Sequence, residues 1–254
     1  MSERRSSLSF DRIADRYDAT RGGEHRGRRT AASLAPLLDP VCPVVEVGIG
    51  TGVVALGLRE LGFTVVGVDL SPAMAQRARR RLGSVVAVAD AARLPVADAV
   101  VEQAVSVWLL HVVADRAAVL AEVARVLRPG GRYLVSSARV GVPPEDEIDR
   151  LVFDMRNQLN PGWHDDERQV LDFARSSGFS VIGQRPAAPD EATQSPVEVA
   201  DSIEAKTWSS LWNLTNEQWR TVVAPTVAAL RALPDAHVRR RFQSPQRIIV
   251  LQRR

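Results

Sequence analysis

Three glycines, Gly48, Gly50 and Gly52, stand between a run of β-branched residues and a helical stretch. A chain without Cβ atoms can turn sharply there and let a ligand approach its backbone. With Glu46 ahead of them the spacing reads E-x-G-x-G-x-G, not the G-x-G-x-x-G of a dinucleotide fold. A carboxylate at position 46 repels a phosphate but suits a ligand carrying an ammonium and a sulfonium. Asp69 lies one helix and one strand further on, at the same edge, where a carboxylate accepts the protons of two ribose hydroxyls. Asp90 ends the following strand and is spaced to accept from an exocyclic amine, while Ala91 offers a backbone N–H to a ring nitrogen. The set outlines an adenosine site. Each acid also has a plainer reading: Glu46 as a strand acid paired with an arginine, Asp69 as the cap of a helix opening near Ser71, Asp90 as a loop acid.

For these residues to meet, strands must carry them to one edge. Val44 to Val47 leads into the glycines, and Val53 to Leu61 reads as a helix closed by Gly62. Thr64 to Val68 repeats the strand signal up to Asp69. Ser71-Pro72 then supplies an N-cap and a first-turn proline for a helix running to Leu82. Val85 to Val88 and Ala104 to Trp108 make strands three and four, separated by an aperiodic loop from Leu94 to Val101. Asp115 caps the next helix, whose Val119, Leu120, Val123, Val126 and Leu127 keep the helical period as far as Pro129-Gly130-Gly131. Tyr133 to Ser136 is strand five. Such alternation predicts a parallel sheet with helices on both faces and ligands at the strand C-terminal ends.

Ahead of this core, Phe10, Ile13, Ala14 and Tyr17 share one face of a short helix that stops at Gly22-Gly23, and a second helix runs from about Arg28 to Leu38. Beyond strand five, Val140 to Trp163 is rich in Pro, Gly and acids. Gln169 to Ser176 is helical, and Phe179 to Gly183 and Arg247 to Leu251 are strands. Residues 187–243, with Trp208, Trp212 and Trp219 on helical patterns, read as an insertion short for a core of its own, a lid over the ligand edge. Those tryptophans and Trp108 are either packing residues or an aromatic substrate pocket, and Trp163 with His164 is equally open.

Taken together, Val44 to Gly52, Val65 to Ser71, Asp90, and Leu127 to Gly131 before a strand resemble the successive motifs of class I S-adenosylmethionine-dependent methyltransferases, over about residues 8–138. The resemblance implies an α/β fold: a doubly wound, mostly parallel seven-stranded, Rossmann-like sheet with N-terminal helices and a helical lid insertion. One methyltransferase domain then spans 1–254, with an N-terminal cap (1–40), a cofactor-binding core (41–138), the C-terminal part of the sheet (139–186 and 244–254) and the lid (187–243). It implies S-adenosyl-L-methionine as cofactor. Gly48, Gly50 and Gly52 with Glu46 would lie at its methionyl part, Asp69 at the ribose and Asp90 with Ala91 at the adenine; Leu70 and Val107 are counted with them. The stretch Phe10 to Asp18 resembles the helix that covers the methionine end in small-molecule members, which brings Tyr17 and Arg21 against cofactor or substrate. His111 falls where the family faces the methyl group, either as a general base or as a packed histidine; Tyr17 is the second catalytic candidate.

Composition narrows the acceptor. The chain has 254 residues, 45% of them hydrophobic, and a net charge of +3. Its pI of about 9.7 reflects arginine, since Lys206 is the sole lysine. The basic runs near Arg77 to Arg81 and Arg239 to Arg241 lack interleaved aromatics and read as solvated faces, not a nucleic-acid stripe. Strand four reads Ser106-Val107-Trp108-Leu109 where amino-methylating nucleic-acid enzymes resemble Asn/Asp-Pro-Pro-aromatic, and Cys42 precedes strand one, far from the edge a cytosine-C5 nucleophile needs. A small-molecule acceptor remains, with a nucleic-acid enzyme or a noncatalytic cofactor-binding protein as alternatives. One cysteine excludes an intramolecular disulfide, the histidines lack metal-ligand spacing, and no stretch is long and apolar enough for a membrane span. The expectation is a cytoplasmic monomer or homodimer.

Overall fold

The computed structural model describes residues 3–138, 146–159 and 167–254; Trp163 and His164 lie outside them. The chain divides into two compact units, residues 1–140, 165–188 and 245–254 forming the first and 141–164 with 189–244 the second.

In chain order the elements are α1 (Glu3–Thr20), α2 (Gly23–Leu34), β1 (Val44–Val47), α3 (Val53–Glu60), β2 (Val65–Asp69), α4 (Pro72–Leu82), β3 (Val86–Val88), β4 (Val101–Val107), α5 (Arg116–Val126), β5 (Leu127–Ala138), α6 (Glu147–Leu159), α7 (Glu167–Ser176), β6 (Phe179–Gln194), α8 (Pro196–Glu204), α9 (Asn216–Gln218), α10 (Ala224–Arg231) and β7 (Arg240–Arg253). The strands form one seven-stranded sheet in the order β3-β2-β1-β4-β5-β7-β6. The β1–β2, β1–β4, β2–β3 and β4–β5 pairs are parallel, and β7 runs antiparallel to β5.

Alternation along the strands feeds a core on each face. Val45, Val47 and Ala104 pack with α5 and α7 through Leu120, Val123 and Val170, while Val44, Val105 and Val107 pack with α2, α3 and α4 through Leu34, Leu58 and Ala78. Small residues bring α2 onto α3 at backbone distance. A Cβ added at Gly27 would stand 2.3 Å from the Val53 carbonyl oxygen, and one at Gly57 2.8 Å from Ala31 Cβ. This contact explains why α2 begins at Gly23, ahead of the Arg28 start that periodicity gave: Gly27, Thr30, Ala31 and Leu34 form its buried face.

Two caps match the sequence reading. The Ser71 hydroxyl accepts from Met74 N–H (3.1 Å) ahead of α4, and Asp115 accepts from Ala118 N–H (2.9 Å) ahead of α5. Other boundaries differ, among them two with a plain physical cause. Helix α5 ends at Val126 because Leu127 already pairs with Val101, and the register shifts before Arg132 meets Gln103. Strand β4 ends at Val107, since Trp108 turns into the left-handed region with φ 52.

In the second unit, Ile148, Val152 and Met155 of α6 pack with Val199 and Ile203 of α8, Leu211, and Val227 and Leu230 of α10. Residues 187–243 thus share this core with a helix that precedes them. Ser195 and Glu198 form a reciprocal capping box at the start of α8. Between α9 and α10 the chain makes a π turn, Trp219–Val223. Trp208 is stacked under Arg156 (4.5 Å to the ring centroid) and Trp219 under Lys206 (4.9 Å).

Candidate functional site

The strand order reverses at β1, flanked by β2 and β4, and the C-terminal ends of these strands open onto a pocket of about 1010 Å³, its open mouth included. The glycine loop leaves β1 and is fixed to β2. Val68 O accepts from the N–H of Gly48 (2.9 Å) and of Ile49 (2.8 Å). Asp69 completes the attachment: one carboxylate oxygen accepts Gly50 N–H and the other Ser71 N–H, both at 2.8 Å. Burial raises the pKa of Asp69, the two N–H donors oppose that rise, and the charge of Asp11 adds to it. Each oxygen retains capacity for a second donor, so the group faces the pocket as a two-point acceptor for neighbouring hydroxyls. The reading of Asp69 as the cap of α4 does not hold, because Ser71 caps that helix with its own side chain and Asp69 binds the Gly50 and Ser71 N–H groups instead.

Helix α1 closes one side of the pocket through three acids on one face. Asp11 accepts from the Ser71 hydroxyl and from Ala73 N–H (3.0 Å), Asp15 pairs with Arg77, and Asp18 takes both Arg81 and the Thr51 hydroxyl. Their i, i+4, i+7 spacing matches successive turns of α4. This clasp turns Phe10 and Tyr17, whose rings meet edge to face at 6.3 Å, into the pocket lining. The acid spacing was visible in the sequence; its partner on α4 was not.

Of the residues read from the sequence, Tyr17, Gly48, Gly50, Asp69, Leu70, Asp90, Ala91 and Val107 all line this pocket. Asp90 turns one oxygen back onto Ala92 N–H (2.8 Å). Four others do not line it. Arg21 sits behind Tyr17, its Cζ 6.0 Å from the ring centroid. Gly52, with φ 81, begins α3, and a Cβ there would crowd Ala78 and Leu82 of α4 at 3.0–3.2 Å. His111 lies in the turn after β4, where its neighbours Leu109, Val112 and Val113 line the pocket instead.

Glu46 is the fourth. It is 2% exposed in the centre of the sheet, between Gly67 and Val105, and pairs with no arginine among the described residues. Its carboxyl accepts Ala55 N–H in the first turn of α3, and the second oxygen is buried without a partner. Gly52 has no side chain with which to cap α3, so Glu46 supplies that bond from inside the sheet. Burial, followed by the charge of Asp69, pushes its pKa up to about 8, so the group is mostly uncharged at neutral pH.

Sequence reasoning placed Trp108 in strand four. In the structure it follows the strand with φ 52, a conformation that costs a bulky residue about 1–3 kcal/mol and persists only where its surroundings impose it. Three contacts do so. Its N–H donates to Ser136 O (3.1 Å), its indole N–H to Gln246 Oε1 (3.3 Å), and Arg26 Cζ lies 3.4 Å from the ring centroid. Trp108 lines the pocket, as does Asp115. No feature of the local sequence signals the turn of handedness at Trp108.

Comparison with known proteins agrees with this arrangement. Residues 45–135 match the family described as a methyltransferase domain. A demethylmenaquinone methyltransferase of Mycolicibacterium vanbaalenii is 31% identical over 235 residues, covering 86% of this chain and 90% of that protein. The enzyme of the same name from Mycolicibacterium paratuberculosis is 39% identical over 131 residues, covering 50% of this chain and 56% of that protein. Among solved structures, a SAM-dependent methyltransferase from Thermotoga maritima superposes with a TM-score of 0.58 at 19% identity, covering 98% of this chain and 99% of the other. A [4+2]-cyclase, SpnF, gives 0.59 at 19% identity, covering 97% and 95%, so the shared fold does not by itself fix the reaction. The relative matched along nine tenths of its length does: this chain belongs to the class I S-adenosylmethionine-dependent methyltransferases.

Proposed function

We propose that the enzyme methylates a small molecule with a largely apolar body, and that the acceptor lies against Trp108, Leu109, Val112 and Val113. Support for a small acceptor comes from the relatives, whose name gives demethylmenaquinone, and makes that quinone the first compound to assay. The observation that carries the cofactor end is the Asp69 carboxylate, clipped between Gly50 and Ser71 with an acceptor position left on each oxygen. Gly50 adds a cradle, for a Cβ there would meet no atom within 4 Å. These residues fit S-adenosylmethionine, with Asp69 holding the ribose, Asp90 and Ala91 the adenine, and the Gly48–Gly50 backbone the methionyl part.

S-adenosylmethionine supplies, when bound, a methyl group made electrophilic by its sulfonium. The chain need only align the acceptor and keep water out, and orientation alone can contribute much of such a rate. Leu109, Val112 and Val113 exclude water, and Tyr17 orients what it touches. His111 serves as general base only for an acceptor that arrives protonated. The enzyme is taken to work in the cytoplasm as a monomer or homodimer, without nucleic acid; among the described residues no helix is long and apolar enough to cross a membrane.

Calorimetric titration with S-adenosylmethionine, S-adenosylhomocysteine and NAD tests the cofactor end. Binding of the first two alone is expected, with a loss of at least tenfold in Asp69→Ala; unchanged affinity in that variant would refute the ribose assignment. Turnover is read as S-adenosylhomocysteine release together with the mass gain of one methyl on the acceptor. Full activity of His111→Ala on that acceptor would remove the base assignment.

A further inference from the structure

Two arginines stand behind the aromatic walls of the pocket. Arg26 lies 3.4 Å from the Trp108 ring centroid and Arg21 lies 6.0 Å from that of Tyr17. Trp108 and Tyr17 line the pocket and the two arginines do not. The charged side chains that line the pocket among the described residues are carboxylates, those of Asp69, Asp90 and Asp115. Asp69 and Asp90 sit at the nucleoside end, and Asp115 accepts from Ala118 N–H at the start of α5. Among the described residues, the cation lying against Trp108 is Arg26.

The arrangement at Trp108 is a built one. A left-handed backbone, a donor bond to Gln246 and a stacked guanidinium all hold the indole in one orientation. A cation on one face of an indole is attracted by the ring's negative quadrupole and offsets it at the other face. Arginine keeps its charge at every working pH. An indole polarised in this way suits an electron-rich ring or an anion better than a neutral or cationic group.

We propose that Arg26, acting through Trp108, selects an acceptor that is already ionised, a phenolate or an enolate, which makes Trp108 a specificity-determining residue and Arg26 a positioning residue. The inference rests on the methyltransferase reading above. The acceptor has lost its proton to solvent before transfer. Its electron pair forms the bond to the methyl carbon while the carbon–sulfur pair returns to sulfur, so an anion and a sulfonium become two neutral groups. No base at His111 is then required. With an effective dielectric of about 20 and roughly 7 Å between guanidinium and acceptor, Arg26 alone would shift the ratio of ionised to neutral bound acceptor by about fiftyfold, and the opposing Asp115 carboxylate together with solvent screening brings the expected preference down to about tenfold.

The probe is 4-nitrophenol, whose phenolate absorbs separately from the neutral form, with 4-nitroanisole as a ring that cannot ionise. Each is titrated into enzyme saturated with S-adenosylhomocysteine. The wild type is expected to bind the phenolate at least tenfold more tightly than the anisole. Arg26→Gln should lose that preference and Arg26→Lys should keep part of it. Equal binding of the two probes, no binding of the phenolate, or an unchanged preference in Arg26→Gln would overturn the proposal. Should Arg26→Gln fail to fold, the wild-type ratio decides alone, and a ratio at or below one refutes it. Calorimetry with S-adenosylhomocysteine on the same proteins separates the two readings: retained affinity without charge preference defeats this inference only, whereas a wild type that does not bind it defeats the reading beneath.

Discussion

Glu46→Gln should change how stability depends on pH more than it changes stability itself. The wild-type carboxyl is fully buried, with one oxygen on Ala55 N–H and the other without a partner. Its ordinary value is 4.5, and burial together with Asp69 pushes it up to about 8. Between these values the unfolded chain has lost the proton and the folded chain has kept it, so stability falls as pH rises. The contribution is complete below about pH 4.5, declines across the window, and is gone once pH passes about 8. At 1.36 kcal/mol per pH unit the full span is worth about 5 kcal/mol, an upper bound because water entry and local relaxation reduce it. Glutamine keeps the acceptor for Ala55 and cannot ionise. Urea denaturation of both proteins from pH 5 to 9 should show near-equal stability at the acid end, and a variant more stable by several kcal/mol at the alkaline end. The difference between the two cancels the opposing carboxylates, such as Glu122, whose pKa is lowered by Arg125. A difference flat across that range would refute the assignment of a buried, protonated Glu46.

Gly50→Ala and Gly52→Ala should fail in different ways. Both positions have positive φ, 57 and 81, costing about 1–2 kcal/mol each for a side chain. The Gly50 methyl enters open pocket space, so S-adenosylhomocysteine affinity falls by about tenfold or more. The Gly52 methyl meets Ala78 and Leu82, so thermal denaturation shows the larger loss there, with affinity less affected. Asp18→Asn weakens the hold of Arg81 and Thr51 on α1; limited proteolysis should cut α1 severalfold faster, with the difference shrinking as salt is added. Asp115→Ala removes the cap of α5 and should cost about 1 kcal/mol in unfolding free energy.

The parts legible in the sequence were those whose meaning is local. The glycine spacing, the acids that end β2 and β3, and the Ser71-Pro72 and Asp115 caps depend on a few neighbouring residues, and strand alternation then brings them to one edge. What escaped depends on partners far along the chain. Glu46 was read for its charge, but its position opposite Gly67 and Val105 buries it and leaves α3 as its donor. Trp108 looked like a strand residue because Ala104 to Val107 continues into it; Ser136, Gln246 and Arg26, which hold its left-handed turn, come from three other elements or loops. His111 follows β4 in a turn whose Leu109, Val112 and Val113 line the pocket, a placement that depends on how the chain leaves the strand. Helix α5 stops short of the strong stop signal Pro129-Gly130-Gly131 because pairing of Leu127 with Val101 ends it sooner.

The contact of Gly27 with the Val53 carbonyl joins parts of the pocket that the sequence keeps apart. Val53 is the first residue of α3, directly after the glycine loop, and Gly27 directly follows Arg26. A methyl at position 27 would run into the Val53 carbonyl and Cβ, so Gly27→Ala could fit only by prying α2 off α3, and it would carry the neighbouring Arg26 away from Trp108.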